Sequence, residues 1–341
     1  MRVYIKKISE GASKWIYDGY SKAWEYLGYE VVRYNNFIDI DDNDYFLMAF
    51  DTDISGERLA KYDSKNDCYF LSINGGHGVV KNEPHPRNLY QYFSKNVDPK
   101  RTKVLKKSKK TFLFVQPYSF PQPWSTSTNF ITSLGTTAIE EVNSLDNILK
   151  WTFVDYTKKD FYEEWGNDIK FIPLALDSIS YKPQKDEKYK FDVCYVGSWA
   201  DNGLNEKKNI MIEYFSEIKK RNINAGIFIN KNLSIQDEAN LLHNSKMAIN
   251  IHDKYQQVLG LDTNERTFKS LGLNGFLVSD HVENLKDIFP EVSTVENAKA
   301  MADCVEDKLS KNLHNTKEEN MRKIISEHTY IERVKEMIQG V

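Results

Sequence analysis

The chain has 341 residues, 40% of them apolar and 28% charged, with a net charge of −3; this describes a soluble globular protein rather than a general polyanion binder. Its length suits two domains of ordinary size, each with its own core. Three cysteines, Cys68, Cys194 and Cys304, are odd in number and lack metal-like spacing, so they read as buried apolar side chains in a reducing compartment and no metal site is expected. No apolar run approaches the roughly 18 residues that cross a bilayer, and residues 1–7 open directly as a strand, so a cytoplasmic protein is expected. Bulk charge does not favour nucleic acid. Aromatic content of 13% suits sugar-stacking surfaces and a Tyr-rich core equally.

In chain order, residues 2–6 alternate as a strand and Ser9-Glu10-Gly11-Ala12-Ser13 is a loop of small residues. Ile16, Tyr20, Ala23, Trp24 and Leu27 recur at helical spacing until Gly28 stops the helix, and residues 29–34 form the next strand. This β-loop-α-β unit places Glu10 and Gly11 at the carboxyl edge of the first strand, where ligands bind in such sheets, although no G-x-G-x-x-G spacing is present. Further strands fall at residues 46–50, 68–73, 111–116, 151–155 and 170–174, with helices at 137–150 and 158–165. Gly75, Gly76 and Gly78 surround His77 just after the strand at 68–73; they allow close backbone approach to a ligand and present the imidazole on a rim, the plainer alternative being a tight turn with an exposed His. Asp51-Thr52-Asp53 looks like a metal-binding triplet but has no third ligand nearby and reads as turn chemistry. Residues 100–110 carry seven basic side chains, a solvated face that also suits a peripheral membrane surface or an anionic acceptor. Residues 116–124 are extended, rich in Pro and aromatics.

The second half alternates more cleanly. A strand at 191–196 ends in Gly197-Ser198-Trp199, followed by a helix at 205–221 that carries Lys207 and Lys208 near its start. A strand at 225–229, a helix capped by Ser234 with Asp237 at the capping-box position, and a strand at 246–252 follow. An eleven-residue loop beginning at Asp253 then leads to Asn264, a helix through Phe268 and Leu271, a stop at Asn274-Gly275, and a strand at 276–278. Strand and helix in strict alternation predict a parallel doubly wound sheet. The loops after Val196 and His252 and the first turn of the Asn264 helix then converge on one edge. That turn carries Glu265, Arg266 and Thr267, so backbone N–H groups, a guanidinium and a hydroxyl meet at a positive helix end, where an anion belongs.

Phe171-Ile172-Pro173 with Ala175-Leu176-Asp177, the run from Phe191 to Ser198, Asn250-Ile251, Asn264-x-Arg266-x-Phe268, Gly275 to Asp280, and His328-Thr329-Tyr330 with Arg333 together resemble the CgeB-like glycosyltransferases, of GT-B architecture and similar to family 4 of group 1. The match covers roughly the last half of the chain. The resemblance implies an α/β fold of two Rossmann-like, doubly wound domains facing a cleft. The acceptor-side domain would span 1–178, the nucleotide-sugar domain 179–325, and a terminal helix at 326–341 would return to the first. It further implies a retaining transfer from a UDP- or GDP-linked sugar to a hydroxyl of a glycan or related acceptor, with no cofactor beyond the donor. Carried over, Asn264 and Arg266 lie at the donor diphosphate, and Gly197 and Ser198 allow close phosphate approach.

Arg266 is the first candidate to stabilise the departing diphosphate and Lys207 or Lys208 the second, with Trp199, Asn250 and Thr267 in the same donor site. His77, with Gly75, Gly76, Glu10 and Gly11 around the N-terminal cleft, is the candidate to contact sugar or acceptor, with His252 or Asp253 as alternatives. The family usually has Glu where this chain has Lys269, and an ammonium cannot accept hydroxyl hydrogen bonds. Lys269 is expected to swing towards the diphosphate, with Glu265 supplying the hydroxyl contacts. The alternatives are a GT-B binding protein without catalysis and a transferase acting on DNA through residues 100–110.

Overall fold

The computed structural model describes residues 1–9, 11–50, 53–54, 58–63, 68–73, 76–81, 99–115, 130–131, 136–155, 168–199, 207–231 and 233–339. The chain forms two compact units, Met1–Pro173 together with Val334–Val341, and Leu174–Arg333. In the first unit the elements run β1 (Arg2–Lys6), α1 (Gly11–Tyr26), β2 (Glu30–Tyr34), β3 (Tyr45–Phe50), β4 (Arg58–Asp63), β5 (Cys68–Ile73), β6 (Gly76–Lys81), α2 (Pro99–Lys107), β7 (Lys110–Phe114), β8 (Phe130–Ile131), α3 (Thr136–Asn143), β9 (Ile148–Thr152) and β10 (Lys170–Phe171). Six of these strands make a parallel sheet in the order β10-β9-β7-β3-β1-β2.

Side-chain parity explains why this sheet is apolar throughout. Successive residues of a strand point to opposite faces, and a parallel sheet is covered on both. Leu47, Ala49, Leu113 and Val115 therefore share one core with Val104, Leu105, Ile139 and Val142 of α2 and α3. On the other parity, Phe46 and Phe112 lie 5.7 Å from the Trp24 ring of α1, and Trp24 Nε1 donates to Met48 Sδ at 3.1 Å.

The strand expected at 68–73 is present as β5; it lies outside the parallel sheet and pairs antiparallel with β4 and β6 in a separate sheet of order β6-β5-β4-β8. One expectation for this unit is corrected. The helix expected at 137–150 ends at Asn143 and residues 148–150 open β9, because Ile148 and Leu149 pair with β7 rather than extending the helical stripe. The helix expected at 158–165 and the run 116–124 lie outside the described residues.

The second unit contains β11 (Val193–Gly197), α4 (Lys207–Lys220), β12 (Ala225–Ile229), α5 (Ile235–Asn244), β13 (Met247–Asn250), α6 (Lys254–Leu259), α7 (Glu265–Leu273), β14 (Leu277–Asp280), α8 (Glu283–Ile288), β15 (Ser293–Val295), α9 (Ala298–Leu309) and α10 (His314–Glu327). A last helix, α11 (Tyr330–Gln339), begins in this unit and continues in the first. The sheet is parallel, in the order β12-β11-β13-β14-β15. Val193, Tyr195, Met247, Ile249 and Val278 form one core with Met211 and Ile218 of α4 and Met301 and Val305 of α9. Helices α5 and α7 pack against strands of the same sheet.

Gly275, between α7 and β14, has φ +82°, and a Cβ there would lie 2.2 Å from the Lys317 carbonyl oxygen of α10. Only glycine accepts both that backbone angle and that approach.

Candidate functional site

Chain direction fixes where α7 begins. It follows the carboxyl end of β13 and precedes the amino end of β14, so its N-terminus lies at the carboxyl edge of the sheet. Strand order reverses there: β12 lies on one side of β11, and β13 with everything after it on the other. Ligands of doubly wound sheets bind in this position.

Arg266 occupies the reversal. Its Nε donates to the Val196 carbonyl of β11 at 2.7 Å, and its Nη1 donates to Asn250 Oδ1 of β13 at 2.9 Å and to the Ile251 carbonyl at 3.4 Å. The guanidinium stacks 4.8 Å from the Tyr195 ring centroid. Among the described residues Nη2 makes no hydrogen bond and no carboxylate pairs with Arg266, so it keeps both its charge and a spare donor. Asn264, at the N-cap, makes no side-chain bond to the helix; its amide donates instead to Asn250 Oδ1 at 3.2 Å. Its own Oδ1 is buried without a partner among the described residues. The first turn of α7 is thus left without a side-chain cap, an arrangement that favours an anion.

A buried polar network sets this geometry. Asn250 Nδ2 donates to Thr267 Oγ1 at 3.0 Å and lies 3.3 Å from His252 Nε2, which also meets Thr263 Oγ1 at 2.8 Å. On the other side His252 Nδ1 donates to Asp280 Oδ1 at 2.6 Å, while the His252 backbone N–H and Gln257 Nε2 donate to Oδ2 at 2.9 and 2.7 Å. Burial alone would raise the Asp280 carboxyl, but the His252 ring and these donors hold it below the usual carboxylate range. Asp262 lies beside this network and takes one bond from Gln256 Nε2 at 2.7 Å. Burial pushes its carboxyl up to about 6.

Several expected roles change against this geometry. His252 is 0% exposed with both ring nitrogens engaged, so it positions Asn250 and Asp280 and does not reach a sugar. Gly197 makes room for protein: a Cβ there would stand 2.5 Å from Arg266 Nη2. Lys207 is buried and paired with Asp253 at 2.6 Å, and Asp253 N–H donates to Gln256 Oε1 at the start of α6, a helix inside the expected loop. Lys208 is exposed, 5.8 Å above the Trp199 ring, and Ser198 is exposed.

Lys269 points back to the first turns of α5 and α7 and is taken up there by carboxylates. Its Nζ lies 2.6 Å from Glu238 Oε1 of α5 and 3.9 Å from Glu265 Oε2, 5.4 Å from the Tyr181 ring. Tyr181 OH donates to Glu238 Oε2 at 2.9 Å and Tyr330 OH to Glu265 Oε1 at 3.3 Å. Burial would lower the Lys269 ammonium, but the two carboxylates raise it well above its ordinary value; burial leaves Glu265 raised despite the ammonium. Glu238 is the residue the sequence reading missed. The sequence offered only a general signal: a buried lysine needs a carboxylate from a neighbouring element, and spacing does not say which one.

In the first unit, His77 lies inside β6 opposite Ser72 and not on a rim beyond a parallel strand. Gly76 opens β6, Gly11 opens α1, and Glu10 and Gly75 lie outside the described residues.

The sequence model of the glycosyl transferase-like family matches residues 184–339, which contain Arg266, Asn264 and the Asn250–His252–Asp280 network. No curated protein sequence matches significantly. Among solved structures, the pneumococcal O-GlcNAc transferase GtfA in complex with UDP and GlcNAc is 7% identical, with 100% of this chain and 99% of that one covered at a TM-score of 0.53. T4 phage BGT in complex with its UDP-glucose substrate is 13% identical over 98% and 99% of the two chains, at a TM-score of 0.50. The fold is accordingly GT-B, two Rossmann-like α/β units with parallel sheets.

Proposed function

We propose that the protein is a glycosyltransferase that moves a hexose from a UDP- or GDP-linked donor to a hydroxyl of a glycan or related acceptor, as the CgeB-like enzymes do, with retention and without a metal. The observation that carries this reading is Arg266, fixed by neutral acceptors alone at the strand-order reversal, beside the uncapped start of α7. Bond cleavage between sugar and diphosphate leaves negative charge on the departing oxygen. The free Nη2 donor and the first-turn N–H groups offset that charge more strongly in the transition state than in the bound donor. The match to the glycosyl transferase-like family and the UDP-bound GT-B neighbours support the same ligand class. Lys208 and Ser198 stand exposed at the same edge as further donor contacts, and His77 is retained as the acceptor-side candidate, to be tested by turnover of His77→Ala.

The test is calorimetry with UDP, GDP and their nucleosides. Arg266→Ala should weaken the diphosphate by about ten- to a hundredfold and leave the nucleoside within about twofold, since a charge-assisted bond contributes about 1.5–3 kcal/mol. Equal loss for both ligands removes Arg266 from the diphosphate site, and no binding by either diphosphate overturns the donor assignment. A second reading, a nucleotide-binding protein without catalysis, draws on Lys269, where an ammonium already held by Glu238 and Glu265 replaces the family's carboxylate. Tight UDP binding with no hydrolysis of UDP- or GDP-sugars selects it.

A further inference from the structure

The basic run from Lys100 to Lys110 plays no part in the donor site. It folds as α2 followed by the start of β7, and α2 is two-faced. Val104 and Leu105 are buried in the core that α2 shares with α3. Lys103 and Lys106, one turn apart, are exposed and make no ion pair among the described residues. Lys107 is tied to Asp41 at 2.9 Å, which fixes one end of the surface. Between these residues lies a groove of about 500 Å³ lined by Pro99, Thr102, Lys103, Lys106, Lys107 and Glu141. Glu141 is the one acidic side chain there, and it has interactions of its own.

We propose that this groove and the lysine face around it dock the protein on an anionic lipid surface, with headgroup phosphates entering the groove. Seven cations within eleven residues of a chain whose net charge is −3 concentrate the positive potential on one helix and the residues next to it, and clusters of this size on an amphipathic helix bind anionic headgroups. The apolar side of α2 is committed to the core, so contact stays in the headgroup layer and nothing inserts. No helix of the described residues is long and apolar enough to cross a membrane. Nucleic acid fits less well, because residues 99–110 contain six lysines, one arginine and no aromatic. Such a face offers point charges to phosphate but neither a stacking platform nor a bidentate fork for bases.

The proposal goes beyond the donor reading and is tested without turnover. The full chain is sedimented with phosphatidylcholine vesicles and with vesicles that also contain phosphatidylglycerol, across a salt series, with duplex DNA as a parallel ligand. Binding to the phosphatidylglycerol vesicles alone, weakened by salt, is expected. The double variant Lys103→Glu/Lys106→Glu should lose at least about tenfold in vesicle affinity, since each basic residue near an anionic surface contributes about a fivefold factor. Its melting temperature and UDP binding should stay unchanged. Lys185→Glu/Lys219→Glu, the same charge change on exposed lysines of the second unit, should retain most vesicle binding. Equal sedimentation with both vesicle types, equal loss in the two double variants, or tighter binding to DNA than to phosphatidylglycerol overturns the proposal.

Discussion

The carboxyl edges of the two parallel sheets carry the same device in opposite electrostatic states. In the first unit strand order reverses between β1 and β3, and Lys6 at the end of β1 stands there with Nζ 2.5 Å from Asp53 Oδ1 and 5.6 Å from the Phe50 ring. Asp53 Oδ2 also accepts from Tyr34 OH at 3.0 Å and from the Phe50 N–H at 3.1 Å. In the second unit Arg266 stands at the reversal but leans only on carbonyl and amide oxygens. The first cation is neutralised by a carboxylate that Tyr34 and Phe50 also hold; the second has no carboxylate partner among the described residues, as the proposed donor role requires.

The strongest way to sharpen that contrast is to invert the one lysine of α7 that does have carboxylate partners. Lys269→Glu would set a third carboxylate against Glu238 and Glu265, and unfolding by urea at pH 7.5 should show a loss of about 4 kcal/mol or more. The carboxyls of such a cluster titrate high, so the folded state binds more protons than the unfolded one and stability should recover as pH falls towards 5. A stable variant at pH 7.5 would mean that the Lys269 ammonium carries no structural load.

Next in size are the two edge aspartates. Asp280→Ala leaves His252, its backbone N–H and Gln257 without their acceptor and should cost about 3–4 kcal/mol, whereas Asp53→Ala, at a site where Lys6 can reach water, should cost about 1–2 kcal/mol. Equal costs in matched denaturation curves would break the claim that the second edge is the more tightly braced. Asp262→Asn should act in the opposite direction. With its carboxyl raised to about 6, wild-type stability should fall as pH rises from about 4 to about 6, because only the folded state is still protonated there. The amide removes that slope and should gain about 1–2 kcal/mol at pH 7.5, read from Tm against pH; an unchanged slope assigns the titration elsewhere. Lys6→Met should be the mildest, within about 1 kcal/mol in stability and without effect on UDP affinity.

What could be read from sequence followed the physics of each region. In the second unit apolar strands alternate with helices from Val193 to Asp280, with α6 the one helix added inside an expected loop, and the start of α7 was visible in Asn264 and the residues after it. In the first unit the antiparallel sheet was hidden because Cys68 to Ile73 is an apolar run of a length that fits either kind of strand. The Asn74-Gly75 pair between β5 and β6 was the available sign of a hairpin. Partner identity was harder still. Nothing local to Lys269 says that its charge is met by Glu238, 31 positions away, or that Lys207 is met by Asp253. Long side chains at a sheet edge choose among all groups within reach, and sequence spacing does not rank those choices. His252 misled for the same reason: a histidine at a strand end looks catalytic until its two nitrogens are traced to Asp280 and Thr263.

The turn at Gly275 has a consequence for how this protein will look to genetics. The Lys317 carbonyl presses on its Cα face and Asn320 Nδ2 donates to its carbonyl at 2.9 Å, while a Cβ at Gly272 would stand 2.6 Å from Leu176 and 2.8 Å from Ile324. Neither glycine stands at the carboxyl edge where Arg266 lies. A side chain at Gly275 still levers α10 away from α7 and slackens the helix whose first turn aims Arg266, whereas one at Gly272 has to displace only the ends of the Leu176 and Ile324 side chains. In a saturation screen scored by activity, Gly275 will therefore register as strongly as Arg266 itself and Gly272 less so, and only a parallel score of protein abundance will separate the lever from the hand it moves.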